Sequence, residues 1–388
     1  IVVSHPTQYY SPWFRWLAAH TAIQLRVFYL WEFGVAAQRD RQFGATFKWD
    51  VDLLSGYEHE FVPNTAPDPG THHFGGLRNP QLTARLAAWS PGAILLFGYK
   101  WSAHLRAIFW AWRRGIPLLF RGDSHFIGRG APSWKTRLAL RTLYARFAGF
   151  LYVGAANNDY FATLGVPPSR LYFAPHAVDA SHYDPRPEST RAATATLRTQ
   201  LGLAPSTRVV LFAGKFVPAK QPLELMRAFI ALRAPDTALV MVGDGEEKGA
   251  LHELAGTAPK GTIHFLPFAN QSEMPARYLL ADVFALPSRG FYETWGLAVN
   301  EAMHMGVPAL VSDRVGCQRD LVTDGATGWV FPAEDHRALQ ARLAAALAGV
   351  RADREGFRAR AQTRVSDYSY AAAARGLMQA LEDLAAHQ

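Results

Sequence analysis

The chain has 388 residues, 49% apolar and 19% charged, a length that exceeds one ordinary hydrophobic core and favours two domains. No apolar run approaches the eighteen residues of a spanning helix, and a single cysteine, Cys317, excludes an intramolecular disulfide or a cysteine-based metal cluster. The net charge of +8 comes from one segment, residues 100–149, where ten Lys or Arg face one acid, and such a segment favours anionic partners.

In chain order, short apolar or β-branched runs alternate with helical patterns, which is typical of parallel α/β units. The start of the chain, IVVSHPTQYY, reads as a strand entering a loop and not as a secretion signal, so we expect a cytoplasmic protein. The strands predicted in the first half are Ile1 to Ser4, Gln24 to Leu30, Ala93 to Phe97, Pro117 to Phe120 and Phe150 to Val153.

A polar, proline-bearing stretch from Asp184 to Arg208 predicts a domain boundary near Pro185, with domains over residues 1–185 and 186–368. Residues 369–388 predict one more helix. Two doubly wound domains would place the ends of their strands around a shared cleft, so functional residues are sought in loops that follow strands. The strands predicted in the second half are RVVLFAGK, ALVMVGDG, TIHFLP, VFALPS and PALVSD.

The stretch FAGKFVPAK combines a glycine at a strand end with two cations. Gly214 would let a ligand approach the backbone, and Lys215 and Lys220 would suit a diphosphate. The alternative is that both lysines are merely solvated.

The stretch YETWGLAVNEAM holds two acids eight residues apart, Glu293 and Glu301. A helix read from Trp295 onward would leave the amides of Gly296 and Leu297 free for a phosphate at its positive end. At 1.5 Å per residue the acids would lie about 12 Å apart, and a carboxylate can accept two hydroxyl hydrogen bonds. We therefore interpret them as two contacts with one donor molecule. The alternative for Glu301 is a solvated position on the helix flank.

These motifs resemble the retaining glycosyltransferases of family 4, which have the GT-B fold of two Rossmann-like α/β domains. Glu293 and Glu301 match the Glu-x7-Glu motif of that family. Three further segments match in order over residues 171–340: PHAVDASHYDP, FAGKFVPAK and VGCQRDLVTDGATGWVFPAED. The resemblance departs from the family where Lys215 replaces an arginine and where His176 and Ala177 replace Asn-Gly.

The resemblance implies a nucleotide-sugar donor in the second domain and a final helix that crosses back to the first. It implies diphosphate contacts for Lys215, Lys220 and the amides of Gly296 and Leu297, a ribose contact for Glu301, and a contact with the transferred sugar for Glu293.

In the first half, the strand-end segment RGDSH brings Asp123 and His125 to the predicted cleft, where they could position a sugar hydroxyl or relay a proton. Similar enzymes place a histidine in this region against the donor sugar, and we assign that role to His125. His5, in SHPTQYY, is the second choice. A loop histidine is otherwise most often simply exposed to solvent.

Two apparent metal signals are discounted. Asp50-Val51-Asp52 spells a metal-binding Asp-x-Asp, but short acidic pairs arise often by chance. His72 and His73 are adjacent and should point in different directions, so we predict no metal site.

The segment SWKTRLALRTLYARFA predicts a basic helix with two apolar faces. One face should pack on the core and consists of Leu140, Leu143, Tyr144 and Phe147. The other face combines apolar side chains with cations, as in a helix that anchors a protein to a membrane surface. The alternative is a solvated basic face, and nucleic acid is disfavoured because no nucleic-acid-binding motif is present. The predicted membrane contacts are Trp134, Lys135, Arg137 and Leu138.

The resemblance thus implies a retaining, metal-independent hexosyltransferase without a cofactor. It would move a sugar from a nucleoside-diphosphate donor, UDP-linked by preference, to an acceptor hydroxyl in glycan, glycolipid or polysaccharide biosynthesis. Its partners would be the nucleotide sugar, a sugar- or lipid-linked acceptor and an anionic surface at the inner face of a membrane. The alternatives are a GT-B sugar-nucleotide epimerase or phosphorylase, or a catalytically silent protein that binds a sugar nucleotide or an anionic membrane.

Overall fold

The computed structural model describes residues 1–35, 38–39, 46–47, 49–130, 132–290 and 293–386. Two parallel sheets follow one another along the chain, and helices connect their strands. The predicted α/β class is confirmed.

The first sheet has seven strands in the order β5-β2-β1-β6-β7-β8-β9, and all of its pairings are parallel. A separate antiparallel pair is formed by β3 (Gln38–Arg39) and β4 (Thr46–Phe47). The strands of the sheet are β1 (Val2–Val3), β2 (Arg26–Tyr29), β5 (Glu58–Phe61), β6 (Ile94–Phe97), β7 (Leu118–Arg121), β8 (Gly149–Tyr152) and β9 (Leu171–Phe173). The helices of this half are α1 (Tyr10–His20), α2 (Leu82–Trp89), α3 (Ser102–Arg113), α4 (Trp134–Tyr144) and α5 (Ala155–Thr163).

The second sheet has six parallel strands in the order β12-β11-β10-β13-β14-β15. Its strands are β10 (Arg208–Ala213), β11 (Thr237–Val242), β12 (Ile263–Leu266), β13 (Val283–Leu286), β14 (Ala309–Ser312) and β15 (Gly328–Phe331). The helices of this half are α6 (Glu188–Gln200), α7 (Pro222–Leu232), α8 (Lys248–Ala255), α9 (Met274–Leu280), α10 (Leu297–His304), α11 (Gln318–Leu321), α12 (His336–Ala352), α13 (Arg354–Ser366) and α14 (Tyr370–Ala386).

Apolar side chains alternate between the two faces of each sheet and so create a core on both sides. In β10, Val209 and Leu211 belong to one core cluster, whereas Val210 and Phe212 belong to another. Each of the four is completely buried. Burial on both faces explains why these strands read as continuous apolar runs.

The strand order reverses once in each sheet. In the first sheet the reversal lies between β1 and β6, and in the second it lies between β10 and β13. Doubly wound sheets bind ligands at such a switch point, beyond the carboxyl ends of the strands. The loops after β10 and β13 are the ones that carry Lys215, Lys220 and Glu293.

The last helix, α14, packs on the first sheet. Its Ala373, Ala374 and Leu377 share a core cluster with residues of β1, β6 and α1. The hydroxyl of Tyr172 in β9 donates to Asp383 Oδ2 at 2.8 Å. In the described part of the chain, no helix has the length and apolar character that crossing a membrane requires.

Candidate functional site

The two switch-point loops of the second sheet are tied together by their backbones. The amide of Arg289, after β13, donates to the carbonyl of Ala219, next to Lys220, at 2.9 Å. Gly243 lies so close to the end of β10 that a Cβ atom there would be 2.0 Å from the carbonyl oxygen of Gly214. The sequence therefore packs Gly214 and the following lysine loop tightly at the end of β10.

Glu293 lies where the prediction put it, in the loop before α10. Its carboxylate forms an ion pair with Lys220 Nζ, and Oε2 also accepts a hydrogen bond of 2.9 Å from the hydroxyl of buried Ser288. Lys215 is half-buried on the same loop as Lys220. One acid and one cation of the predicted clamp are thus in direct contact.

Helix α10 begins at Leu297, two residues later than predicted. Gly296 precedes it with φ at +96°, a left-handed conformation that favours glycine, and a Cβ there would also crowd Val315. The amides that open a helix lack intrahelical acceptors, so this end offers donors to an anion. Since Glu293 precedes the helix, the helical estimate of about 12 Å between the two acids does not apply.

Glu301 is more deeply buried than a helix-flank position would be, with 3% of its surface exposed. The Tyr278 hydroxyl donates to Oε2 at 2.7 Å, whereas Oε1 is buried without a hydrogen-bond partner among the described residues. Burial raises the pKa of this carboxyl, while the hydroxyls of Tyr278, Tyr183 and Tyr9 act against that shift. Tyr9 belongs to the loop after β1, so the first half of the chain reaches the predicted ribose contact.

Asp123 meets the second half of the chain beside Glu293. Its Oδ2 accepts a 2.7 Å hydrogen bond from Thr294 Oγ1 and lies 3.5 Å from Nε2 of buried His176. Burial alone would raise the pKa of Asp123, but His176 and Thr294 outweigh it and lower the pKa to about 2. Asp123 is therefore a carboxylate at neutral pH and acts as an acceptor across the cleft.

His125 lies against the backbone of Glu293. Its Nδ1 accepts the Ile127 amide at 3.1 Å, which assigns the proton to Nε2. Nε2 is buried without a hydrogen-bond partner among the described residues, although the nearby backbone of Glu293 acts to raise the pKa of the ring. Burial lowers the pKa of His125, and nearby Arg129 contributes to the same shift. The structure thus brings together a neutral imidazole and the loop that carries the first acid.

His5 lies in an aromatic cluster of the first half. Its ring centroid is 5.7 Å from Trp31 and 5.5 Å from Phe33, both edge-on, and Nδ1 lies 3.0 Å from Ser4 Oγ. Burial lowers the pKa of His5 to about 4, so it is neutral at pH 7. These contacts differ from those of Asp123 and His125, which touch the Glu293 loop.

Several buried residues that were not predicted from the sequence form hydrogen bonds between segments that line the cleft. Arg121, at the end of β7, is 3% exposed and donates to the carbonyls of Ala174 and Pro175 at 2.7 and 3.2 Å. It thereby fixes the segment that leads to His176, whose carbonyl accepts from Asn300 of α10 at 3.3 Å. The position of Arg121 in the strand-end segment RGDSH was the one sequence feature that pointed to this residue, because the spacing of residues does not reveal that an arginine is buried.

The face of α4 that was predicted to contact a membrane is exposed to solvent, and α3 contributes further exposed aromatic side chains. Trp134 and Leu138 are 71% and 59% exposed, whereas Tyr144 is buried in the core as predicted. On α3, the rings of Phe109 and Trp112 are also exposed. The guanidinium groups of Arg113 and Arg146 lie over these two rings.

The structure gives different results for the two acidic or histidine motifs that were discounted as metal sites. Asp50 accepts hydrogen bonds from Ser272, and Asp52 pairs with Arg15 at 3.3 Å, so the two acids face different partners. The predicted divergence of His72 and His73 is wrong. Both imidazoles turn towards Asp68 because the loop bends between Asp68 and His72.

Comparison with known proteins gives a consistent result. Residues 194–364 match the family model described as glycosyl transferases group 1. A protein of Mycolicibacterium smegmatis, named GDP-mannose-dependent alpha-(1-6)-phosphatidylinositol monomannoside mannosyltransferase, is 32% identical over 225 residues, 55% of this chain and 57% of that protein. A D-inositol 3-phosphate glycosyltransferase of Nocardia farcinica is 34% identical over 228 residues, 55% of this chain and 48% of that protein. The chain therefore spans about half the length of these curated relatives.

Solved structures match over nearly the whole chain. The crystal structure of Anabaena HepE in complex with UDP has a TM-score of 0.74 at 17% identity and covers 98% of this chain and 99% of its own. WaaG, a glycosyltransferase involved in lipopolysaccharide biosynthesis, has a TM-score of 0.64 at 16% identity, with coverage of 97% and 98%. At these identities the likeness concerns the fold.

Proposed function

We propose, from the match of residues 194–364 to the family model of glycosyl transferases group 1, that the protein moves a sugar from a nucleoside diphosphate to an acceptor hydroxyl. The match over residues 194–364 supports the family resemblance read from the sequence, and the predicted GT-B fold is confirmed. The observation that carries the proposal is the convergence of Lys220, Glu293 and the start of α10 at the switch point of the second sheet.

The site suits a diphosphate leaving group. As the bond between the sugar and the phosphate breaks, negative charge grows on the phosphate, and Lys215, Lys220 and the amides before Leu297 would stabilise it. These groups would supply the positive charge that a metal provides elsewhere, so the proposed transfer needs no metal or cofactor. We expect EDTA to leave the transfer rate unchanged.

We propose that the sugar keeps its anomeric configuration. The acceptor oxygen would form its bond to the anomeric carbon on the face from which the phosphate leaves, and the hydroxyl proton would pass to the departing phosphate oxygen. Glu293 would then hold the sugar and not attack it, in keeping with its contacts to Lys220 and Ser288. His125 and Asp123 would bind sugar hydroxyls from the first half of the chain.

Glu301 is proposed as the ribose contact. Its buried Oε1 has acceptor capacity that a ribose hydroxyl could use. For the ribose to reach it, the Tyr9 side chain would have to move, because Tyr9 faces the same carboxylate. Donor binding is therefore expected to displace the loop after β1.

A donor screen tests this function. We expect one or more of a panel of GDP- and UDP-sugars to raise the unfolding temperature and to be hydrolysed slowly without acceptor. The name of one relative, which refers to GDP-mannose, favours a GDP-sugar as the donor, whereas the sequence favours a UDP-sugar. Failure of every donor to bind would contradict the proposal. An epimerised donor, or turnover that requires phosphate, would assign a different GT-B reaction.

We also propose that α3 and α4 contact an anionic membrane that carries the acceptor. Four large apolar side chains are exposed on this strongly basic segment of the chain, namely Trp134, Leu138, Phe109 and Trp112. A sugar- or lipid-linked acceptor at a membrane surface would then meet the cleft of the bound protein.

Liposome flotation checks the membrane contact. In Trp134→Ala/Arg137→Ala we expect the association constant for anionic vesicles to fall about fivefold or more, because one cation near such a surface contributes about 1 kcal/mol. Phe268→Ala, at a similarly apolar exposed residue of the second half, serves as the control and should float like wild type. Equal recovery of wild type and the double variant would contradict a role for α4.

A further inference from the structure

Three metal-ligating side chains meet on the loop between β5 and α2, outside the proposed donor site. The ligand atoms of Asp68, His72 and His73 all lie within 4.8 Å of one another. Nε2 of His72 is 2.9 Å from Asp68 Oδ2, and Nε2 of His73 is 3.7 Å from the same oxygen. Two imidazole nitrogens therefore face one carboxylate oxygen, and no two of the three ligand atoms are more than 4.8 Å apart.

These distances are close to those of a tetrahedral zinc site. With metal–ligand bonds of about 2.0–2.1 Å and tetrahedral angles, neighbouring ligand atoms lie about 3.4 Å apart. The two measured separations, 2.9 and 3.7 Å, bracket that value. To bind an ion, Nε2 of His73 would exchange its 3.0 Å contact with the Asp68 carbonyl oxygen for a bond to the metal.

The loop is held in place by its own backbone. A Cβ on Gly76 would be 2.1 Å from the carbonyl oxygen of Gly70, and the Gly70 amide donates to the carbonyl of Gly76 at 3.1 Å. Asn64 bridges the base of the loop through the Gly76 carbonyl and the Arg78 amide, at 2.8 and 2.9 Å. The ligand side chains thus stand on a preorganised backbone, which reduces the entropy that binding an ion would cost.

We propose that Asp68, His72 and His73 form a site for one divalent transition-metal ion of the zinc type. Two imidazoles and one carboxylate are a ligand set typical of zinc, and three protein ligands leave a further position open to water or to an anionic group. All three side chains are partly exposed, so an ion can enter from solvent. The ion would tie the loop together at the edge of the first sheet, and the proposed sugar transfer does not depend on it.

The test is metal binding by the intact protein. We expect calorimetric titration with Zn²⁺ to saturate at one equivalent in wild type, and Co²⁺ to give the visible absorption of a four- or five-coordinate site. Mg²⁺ should not compete, because it prefers oxygen ligands. His72→Ala, His73→Ala and Asp68→Asn should each lower the affinity more than tenfold. His336→Ala removes an exposed histidine from the start of α12 and should bind like wild type.

Circular dichroism of each variant checks that the fold is retained. Because the three side chains are partly exposed, we expect spectra identical to that of wild type. The proposal is overturned if wild type shows no saturable one-equivalent binding, or if the folded His72→Ala and His73→Ala variants bind as wild type does. In that case the cluster is only an Asp–His hydrogen-bond network.

Discussion

Glu293→Ala is expected to lower kcat for both sugar transfer and donor hydrolysis by about 10³-fold, equivalent to about 4 kcal/mol in the barrier. The proposed reaction develops positive charge on the sugar, and the Glu293 carboxylate would stabilise it and orient the sugar. The same carboxylate pairs with Lys220, so its loss also frees the cation proposed to bind the diphosphate. Steady-state kinetics with the donor identified by the screen measures the effect.

Two further variants separate the contributions of Glu293. Glu293→Gln keeps the size of the side chain and an acceptor for Ser288, so it should recover part of the rate that alanine loses. Glu253→Gln removes an exposed carboxylate from α8 and should leave kcat unchanged. A fall in kcat with little change in donor KM would indicate a contact used mainly in the transition state. Unchanged hydrolysis in Glu293→Ala would contradict the role of this residue.

The sequence predicted every central strand of the two large sheets but only one of their four edge strands, β12. All ten predicted strands are present, whereas β5, β9 and β15 and the separate pair β3 and β4 were missed. Of these, β5, β9 and β15 lie at the edges of the two large sheets. Edge strands are short or polar because one side lacks a partner, and β5, with the sequence EHEF, has no apolar run to recognise.

Some residues of the candidate site could likewise be predicted from the sequence, and others could not. Loops after strands could be found from local patterns, and Lys220 and Glu293 were identified in this way. That the two loops are neighbours became visible only in the structure. Contacts between the two halves of the chain could not be found, because they join residues more than a hundred positions apart. Asp123 with Thr294 and His176 with Asn300 are of this kind. They depend on how the sheets pack, which no single segment encodes.

The orientation of His72 and His73 was predicted wrongly for a related reason. The prediction rested only on the adjacency of the two residues in a glycine-rich loop. The loop instead turns back on itself where Gly70 and Gly76 approach each other, and both rings reach the same carboxylate.

Lys220→Ala is expected to reduce kcat/KM for the donor by about 10²–10³-fold, the usual loss when one preorganised group that stabilises a developing anion is removed. Its Nζ is already held at the cleft by Glu293, so little reorganisation is needed when a diphosphate arrives. Lys220→Arg keeps the charge and should recover part of the activity. Lys260→Ala, at an exposed lysine before β12, should behave as wild type.

The pair Lys220 and Glu293 also allows a double-mutant cycle. Residues in direct contact are not independent, so Lys220→Ala/Glu293→Ala should lose less activity than the two single losses multiplied together. Removing Lys220 alone leaves a largely buried carboxylate without its cation, which adds a repulsion between Glu293 and the donor phosphates. If the two losses instead multiply fully, the residues act separately, and the ion pair is not the element that prepares the site for the donor.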